Sequence, residues 1–171
     1  KTPTNPMPAR PSGAVDTPAP SLADKESGQS DDQPLGDNFP IVGIGASAGG
    51  LAAFEDFFAG MPTKIAPGMA FILVQHLAPD HKSLLSDLVQ RYTRMDVFEV
   101  NNGMVVRPNC VYIIPPGRDM AFLNGSLQLL EPSAPHGQRL PIDFFFRSLA
   151  QDLHERAIGI VLSGTGSDGS Q

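Results

Sequence analysis

The sequence predicts an α/β fold, a three-layer α/β/α sandwich around a mostly parallel, Rossmann-like sheet with an added antiparallel hairpin. Three observations predict it. Short apolar runs, typical of strands buried on both faces, recur along the chain. Amphipathic helical segments separate these runs, as in right-handed βαβ units. The composition is that of a globular protein, with 41% hydrophobic and 18% charged residues among 171.

The first half of the predicted sheet is a strand–helix–strand–helix unit. FPIVGIG (39–45) predicts a buried strand, and AGGLAAFEDFFAGM (48–61) predicts a one-sided helix that ends at Pro62. GMAFILVQH (68–76) and HKSLLSDLVQRYT (81–93) repeat the pattern. We therefore expect two parallel strands, each followed by a helix.

The second half contains a hairpin, a helix and a strand. Asn124-Gly125 between two apolar runs of DMAFLNGSLQLL (119–130) predicts a tight β-hairpin. IDFFFRSLAQDLHERA (142–157) predicts a third helix, and AIGIVLSG (157–164) predicts a third buried strand. We find no internal repeat.

Residues 1–38 differ from the rest of the chain. They are rich in Pro, Ser, Asp and Gly and show no periodicity. Such a segment buries too little apolar surface to offset the entropy of ordering, so we expect a disordered tail or linker. The folded domain is expected over 39–171.

Composition excludes several function classes. A net charge of −6, a pI near 5.0 and scattered Lys and Arg argue against nucleic-acid binding. The single cysteine, Cys110, rules out an internal disulfide framework, fits a reducing compartment, and lies in a strand-like run that predicts burial. No apolar stretch approaches the ~20 residues of a membrane helix. A cytoplasmic protein is expected.

Candidate chemistry lies where the predicted strands end. In an open parallel sheet, the functional crevice lies outside the carboxyl ends of the strands. Ser47, His76 and Asp168 follow the three strands in turn. They supply the residue types of a nucleophile, a general base and a carboxylate that orients the base. Alternatively, His76 is a structural histidine and Asp168 an Asp-Gly turn residue.

The first of these loops matches two motifs. Residues 43–48 read Gly-x-Gly-x-x-Ala, a dinucleotide-binding fingerprint with alanine in the third glycine position. Residues 45–49 read Gly-x-Ser-x-Gly, a nucleophile elbow that exposes Ser47 on a strand-to-helix turn. The helix that follows would offer backbone N–H groups to an oxyanion.

The end of the second strand separates the two motifs. A dinucleotide site needs an acidic residue about 20 residues after the glycines, but this strand ends in Gln75-His76 and the next carboxylate is Asp80. The elbow is therefore favoured, with no cofactor and no metal. Asp80 and Asp143 compete with Asp168 for the carboxylate role, although Asp143 is placed to cap the third helix.

Several ordered blocks together resemble the catalytic domain of CheB-type chemotaxis methylesterases: IVGIGASAGG, ILVQHLAPDHKSLL, VYIIPPGRDM, LPIDFFFRSLAQDL and AIGIVLSGTGSDG. The resemblance implies that Ser47 is the nucleophile, His76 its base and Asp168 the residue that orients the histidine. It also implies that the backbone amide of Thr165 helps to hold the oxyanion. The backbone amide of Ala48, at the predicted start of the helix after Ser47, is the second candidate donor.

The resemblance further implies hydrolysis of glutamate methyl esters on the cytoplasmic helices of chemoreceptors, with deamidation of glutamines by related members. The motif variants look like those of esterase modules fused to a receptor methyltransferase and sensory domains. No receiver domain fits into 1–38, and the family domain continues beyond the aspartate loop, whereas this sequence stops at Gln171. We therefore expect an unpaired sheet edge, low stability, a mobile Asp168 and weak activity for the 171 residues alone.

Two alternatives come from other classes of protein. A non-catalytic regulatory module of a larger methylesterase/methyltransferase sensory protein would keep the fold without the turnover. A dinucleotide-binding oxidoreductase is the more remote alternative.

Overall fold

The structure is a computed structural model that describes residues 39–47, 50–62, 66–75, 84–132, 139–163 and 168–170. The tail predicted over 1–38 lies outside these residues. The elements are, in chain order, β1 (Ile41–Ala46), α1 (Gly50–Ala59), β2 (Ala70–Gln75), α2 (Leu85–Tyr92), β3 (Asp96–Glu99), β4 (Met104–Val105), β5 (Cys110–Ile113), β6 (Asp119–Leu123), β7 (Ser126–Leu130), α3 (Pro141–Leu153), a 3₁₀ turn (His154–Arg156) and β8 (Ala157–Ser163).

Five strands form one parallel sheet in the order β3-β5-β2-β1-β8. This confirms the predicted parallel α/β architecture. β1 lies between β2 and β8, so the three strands whose ends carry the candidate residues are neighbours. Ala46, at the end of β1, pairs with Gln75 on one side and with Ser163 on the other.

The two faces of the sheet are covered by different elements, because successive side chains of a strand point to opposite faces. Val42, Ile44 and Ala46 of β1 pack in one core with residues of α1 and α2. Ile41 packs in the other core with residues of α3 and of the antiparallel sheet. The layers are therefore helix, sheet, and helix with antiparallel strands, as predicted.

The antiparallel sheet has the order β4-β7-β6, and β6 and β7 form the predicted hairpin. Asn124 and Gly125 connect them with φ angles of +48° and +76°. Positive φ at both central residues is what a type I′ turn requires, and Asn-Gly adopts it at low cost. The prediction from this dipeptide is confirmed.

α3 lies close to β1 because β1 has glycines on that face. A Cβ added to Gly45 would lie 2.4 Å from Cγ2 of Ile142, and one added to Gly43 would lie 3.0 Å from Cε1 of Phe146. The missing side chains therefore let the first turn of α3 reach the carboxyl end of β1. The glycines that suggested a phosphate loop also serve helix packing.

β8 differs from the prediction of a buried strand. Its side chains are half-buried or exposed, with Ile158 at 41% and Val161 at 48% exposure. The physical reason is position: within the described part of the chain, β8 is an edge strand. An apolar run predicts a strand, but strand order decides how much of it is covered.

The third helix also ends earlier than its apolar pattern predicted. α3 ends at Leu153 instead of continuing to 157, because His154 adopts a left-handed φ of +51° and a 3₁₀ turn leads directly into β8. In the part of the chain that the structure describes, no helix is long and apolar enough to cross a membrane.

Candidate active site

Ser47 lies in the turn that joins β1 to α1. Its backbone N–H donates to the carbonyl of Ser163 at 2.9 Å, which ties the turn to the end of β8. Its own carbonyl accepts from the N–H of Gly50, the first residue of α1, at 3.0 Å. The residue is half-buried. A serine held between a strand end and a helix start has the backbone order of a nucleophile elbow.

Gly50 makes this turn compact. A Cβ at this position would lie 2.8 Å from Nε2 of Gln75 and 3.0 Å from Cβ of Ala46. The start of α1 therefore packs directly against the end of β2. Oε1 of Gln75 is buried beside this turn and accepts no hydrogen bond from any residue that the structure describes.

Asp168 lies at the first turn of α3. Its Oδ1 accepts from the backbone N–H of Asp143 at 2.8 Å, and its Oδ2 accepts from the N–H of Ile142 at 3.2 Å. Each of these N–H groups is unpaired within the helix itself, so the Asp168 carboxylate caps α3 and lies at the positive end of its dipole.

The sequence suggested that Asp143 caps its own helix, but it does not. The N-cap position is Leu140, which makes no side-chain hydrogen bond to the helix. The Asp143 side chain instead accepts the N–H of Gly169 at 2.8 Å. The expectation was wrong because the cap comes from a residue 25 positions away, which no local pattern reveals.

The remaining predicted site residues, His76, Thr165 and Ala48, lie outside the described residues. The structure thus describes the nucleophile and carboxylate candidates. It also shows that Gln75, next to His76 in sequence, pairs with the residue before Ser47.

Two other features lie at the opposite, amino edge of the sheet. Cys110 begins β5 and is buried, as predicted; burial raises the pKa of its thiol. A cavity of about 340 Å³ lies nearby, lined by residues that include Tyr92, Asp96 and Asn109. Neither feature adjoins the Ser47 turn. Across the described ranges, no group of three or more His, Cys, Asp or Glu is arranged to hold a metal ion.

A model of the CheB methylesterase family matches residues 42–171. The chain belongs to this family.

Individual relatives agree with this assignment. The chain is 33% identical over 135 residues to protein-glutamate methylesterase/protein-glutamine glutaminase 1 of Myxococcus xanthus, a match that covers 77% of this chain and 39% of that protein. It is 30% identical over 142 residues to a protein of the same name, without the number, from Photorhabdus laumondii, covering 81% of this chain and 40% of that protein. The chain therefore spans about two fifths of the length of these curated relatives.

The fold agrees with that of a solved relative. The CheB methylesterase catalytic domain of Thermotoga maritima superposes with a TM-score of 0.67 at 26% identity, covering 78% of this chain and 71% of that one. The α/β architecture of this CheB-family domain is thus shared with a methylesterase catalytic domain.

Proposed function

We propose that this CheB-family domain is a serine hydrolase that removes methyl esters from glutamate side chains of proteins and deamidates glutamines. The observation that carries the proposal is Ser47, half-buried in a compact strand-to-helix turn between the ends of two neighbouring strands. The names of the relatives, protein-glutamate methylesterase/protein-glutamine glutaminase, supply the substrate class.

In the proposed mechanism, His76 accepts the Ser47 hydroxyl proton while the serine oxygen attacks the ester carbonyl. The backbone N–H groups of Ala48 and Thr165 stabilise the oxyanion. The intermediate collapses to an acyl-enzyme, and methanol leaves with the proton from His76. Water, deprotonated by the same histidine, then releases the glutamate and restores Ser47. For a glutamine substrate, the leaving group is ammonia.

Asp168 is the proposed orienting carboxylate. Its oxygens accept two N–H groups of α3, and a carboxylate can accept N–H donors from several directions. In the proposed triad it also accepts the N–H of the His76 imidazole. Fixed by the helix, it would hold the imidazole in one tautomer and stabilise the imidazolium.

We further propose that the substrate protein is the cytoplasmic part of a chemoreceptor, with the domain acting in the cytoplasm. The reaction needs no cofactor, since a serine nucleophile, a base and backbone amides suffice for acyl transfer. This assigns the domain to chemotaxis-type signal transduction.

The test compares the full-length parent protein with its Ser47→Ala variant on a chemoreceptor cytoplasmic fragment that carries tritiated glutamyl methyl esters. We expect methanol release to fall by at least about 10³-fold, since removing the nucleophile removes the whole triad's contribution. Ser126→Ala is the matched control, because Ser126 lies on the β6–β7 hairpin and its loss should leave the rate unchanged. Equal release by Ser47→Ala and the parent protein would refute the proposal. A folded parent protein that releases no methanol would indicate a non-catalytic regulatory module.

A further inference from the structure

Asp143 is a buried charged residue with no place in the proposed triad. Its side chain is only 2% exposed, although it lies in the first turn of α3 and could face solvent if the helix were rotated. Burying a carboxylate costs free energy unless hydrogen bonds compensate. Its Oδ1 receives such a bond from the backbone of the Asp168 loop, at Gly169.

The side chain of each aspartate accepts a backbone N–H from the segment that carries the other aspartate. Asp168 accepts the N–H of Asp143, and Asp143 accepts the N–H of the residue after Asp168, both at 2.8 Å. This is the reciprocal arrangement of a capping box, in which a side chain caps the helix and the third helical residue bonds back to the capping segment. Here the capping segment comes from another part of the chain, 25 positions away.

Gly169 has a conformation that suits this bond. Its φ is +87°, and a Cβ there would lie 2.8 Å from Cγ2 of Ile142 and 2.9 Å from Cγ2 of Val161. Glycine is the residue that adopts this backbone without strain. The tight turn directs the Gly169 N–H toward Asp143. The loop is therefore bonded to α3 through the Asp168 side chain and also through the backbone of the next residue.

We infer that Asp143 is a positioning residue that fixes the Asp168 carboxylate for catalysis through the Gly169 N–H. The inference rests on the proposed function for its kinetic consequence. Two hydrogen bonds from α3 hold the carboxylate oxygens of Asp168, and the bond to Asp143 holds the backbone that carries them. Without the third bond, the backbone directly after Asp168 loses this hydrogen bond to α3.

The test compares Asp143→Ala with Asp143→Asn, which keeps a side-chain oxygen to accept the Gly169 N–H. On the methylated receptor fragment we expect Asp143→Ala to lower kcat by about 10²-fold with little change in KM, since a displacement of about 1 Å costs this much. Asp143→Asn should recover most of that loss. Asp152→Ala, which removes a carboxylate from the other end of α3, is the matched control.

Hydrogen exchange of the Gly169 amide gives a readout that does not depend on activity. Protection should be lost in Asp143→Ala and kept in Asp143→Asn. If Ser47→Ala is as active as the parent protein, the proposed function fails, while the exchange result still tests the bond. A protein active through Ser47 whose Asp143→Ala variant matches Asp152→Ala in kcat would overturn the inference. So would an Asp143→Asn variant as slow as Asp143→Ala.

If Asp143→Ala does not fold, Asp143→Glu replaces it, since it keeps the charge but moves the oxygen by one methylene. The same reduced kcat and loss of Gly169 protection are expected. Parental values of both would overturn the inference.

Discussion

Replacing Gly45 with alanine tests whether the position of α3 depends on the absence of a side chain at this point of β1. The added Cβ would lie 2.4 Å from Cγ2, 3.0 Å from Cδ1 and 3.2 Å from Cγ1 of Ile142. Isoleucine is stiff at χ1 in a helix, so a rotation of this side chain does not relieve the overlap. The first turn of α3 must move away from the sheet instead.

The expected loss of stability follows from two opposing effects. Overpacking of this kind costs about 1–3 kcal/mol, whereas Gly→Ala recovers about 0.4–1 kcal/mol by restricting the unfolded chain. We therefore expect Gly45→Ala to lower the free energy of unfolding by about 1–2 kcal/mol. Since α3 carries the N–H groups that hold Asp168, esterase activity should fall as well.

The assay is urea unfolding followed by circular dichroism, with two matched Gly→Ala variants in the same sheet. At Gly159 the nearest atoms to an added Cβ are ring carbons of Phe146 at 3.4 Å, an ordinary contact. This variant should therefore be as stable as the parent protein or slightly more stable. Gly43→Ala, with contacts of 3.0–3.3 Å to side-chain ends, should lie between them.

For Gly45→Ala we expect the urea midpoint to fall by about 0.5–1 M at an unchanged slope, taking a slope of about 2 kcal/mol/M. The order of stability should be Gly159→Ala, Gly43→Ala, Gly45→Ala. If Gly45→Ala unfolds at the same urea concentration as Gly159→Ala, the close approach of α3 to β1 does not constrain the fold, and the reasoning is wrong.

Two further predictions concern buried titratable groups. Burial raises the pKa of Tyr112 to about 12, so between pH 10 and 12 the unfolded chain loses this proton while the folded chain keeps it. The free energy of unfolding should therefore fall as pH rises through this range. Tyr112→Phe should remove that part of the fall. An identical pH dependence in both proteins would contradict the raised pKa of Tyr112. Burial also raises the pKa of the thiol of Cys110, the single cysteine. A disulfide reagent should therefore label Cys110 slowly in the native protein and fast in urea. Fast labelling of the native protein would show that β5 is accessible to the reagent.

Local patterns predicted the elements that depend on neighbouring residues. Alternation of apolar runs and one-sided helices predicted the parallel sheet, and Asn124-Gly125 predicted the hairpin, because a type I′ turn depends on two adjacent residues. Burial of Cys110 followed from its apolar strand. The same patterns placed α3 correctly but not its end, which depends on how the chain turns into β8.

The candidate site residues were chosen for a topological reason. Parallel strands place their carboxyl ends at one edge, so Ser47 and Asp168 were identified from the residues after two apolar runs. The choice between a phosphate loop and a serine elbow depended on Gln75-His76, at the end of another strand.

By itself, therefore, the sequence determined the α/β class, the hairpin and the candidate residues, because these depend on periodicity and on residues adjacent in the chain. Only the tertiary structure decided that β8 is an edge strand in the described sheet, since the residues of a single strand do not determine the order of the strands. It alone paired Asp143 with the Asp168 loop across 25 positions. Hydrogen bonds between a side chain and the backbone of a residue distant in sequence depend on how the elements pack, and packing is a property of the whole fold.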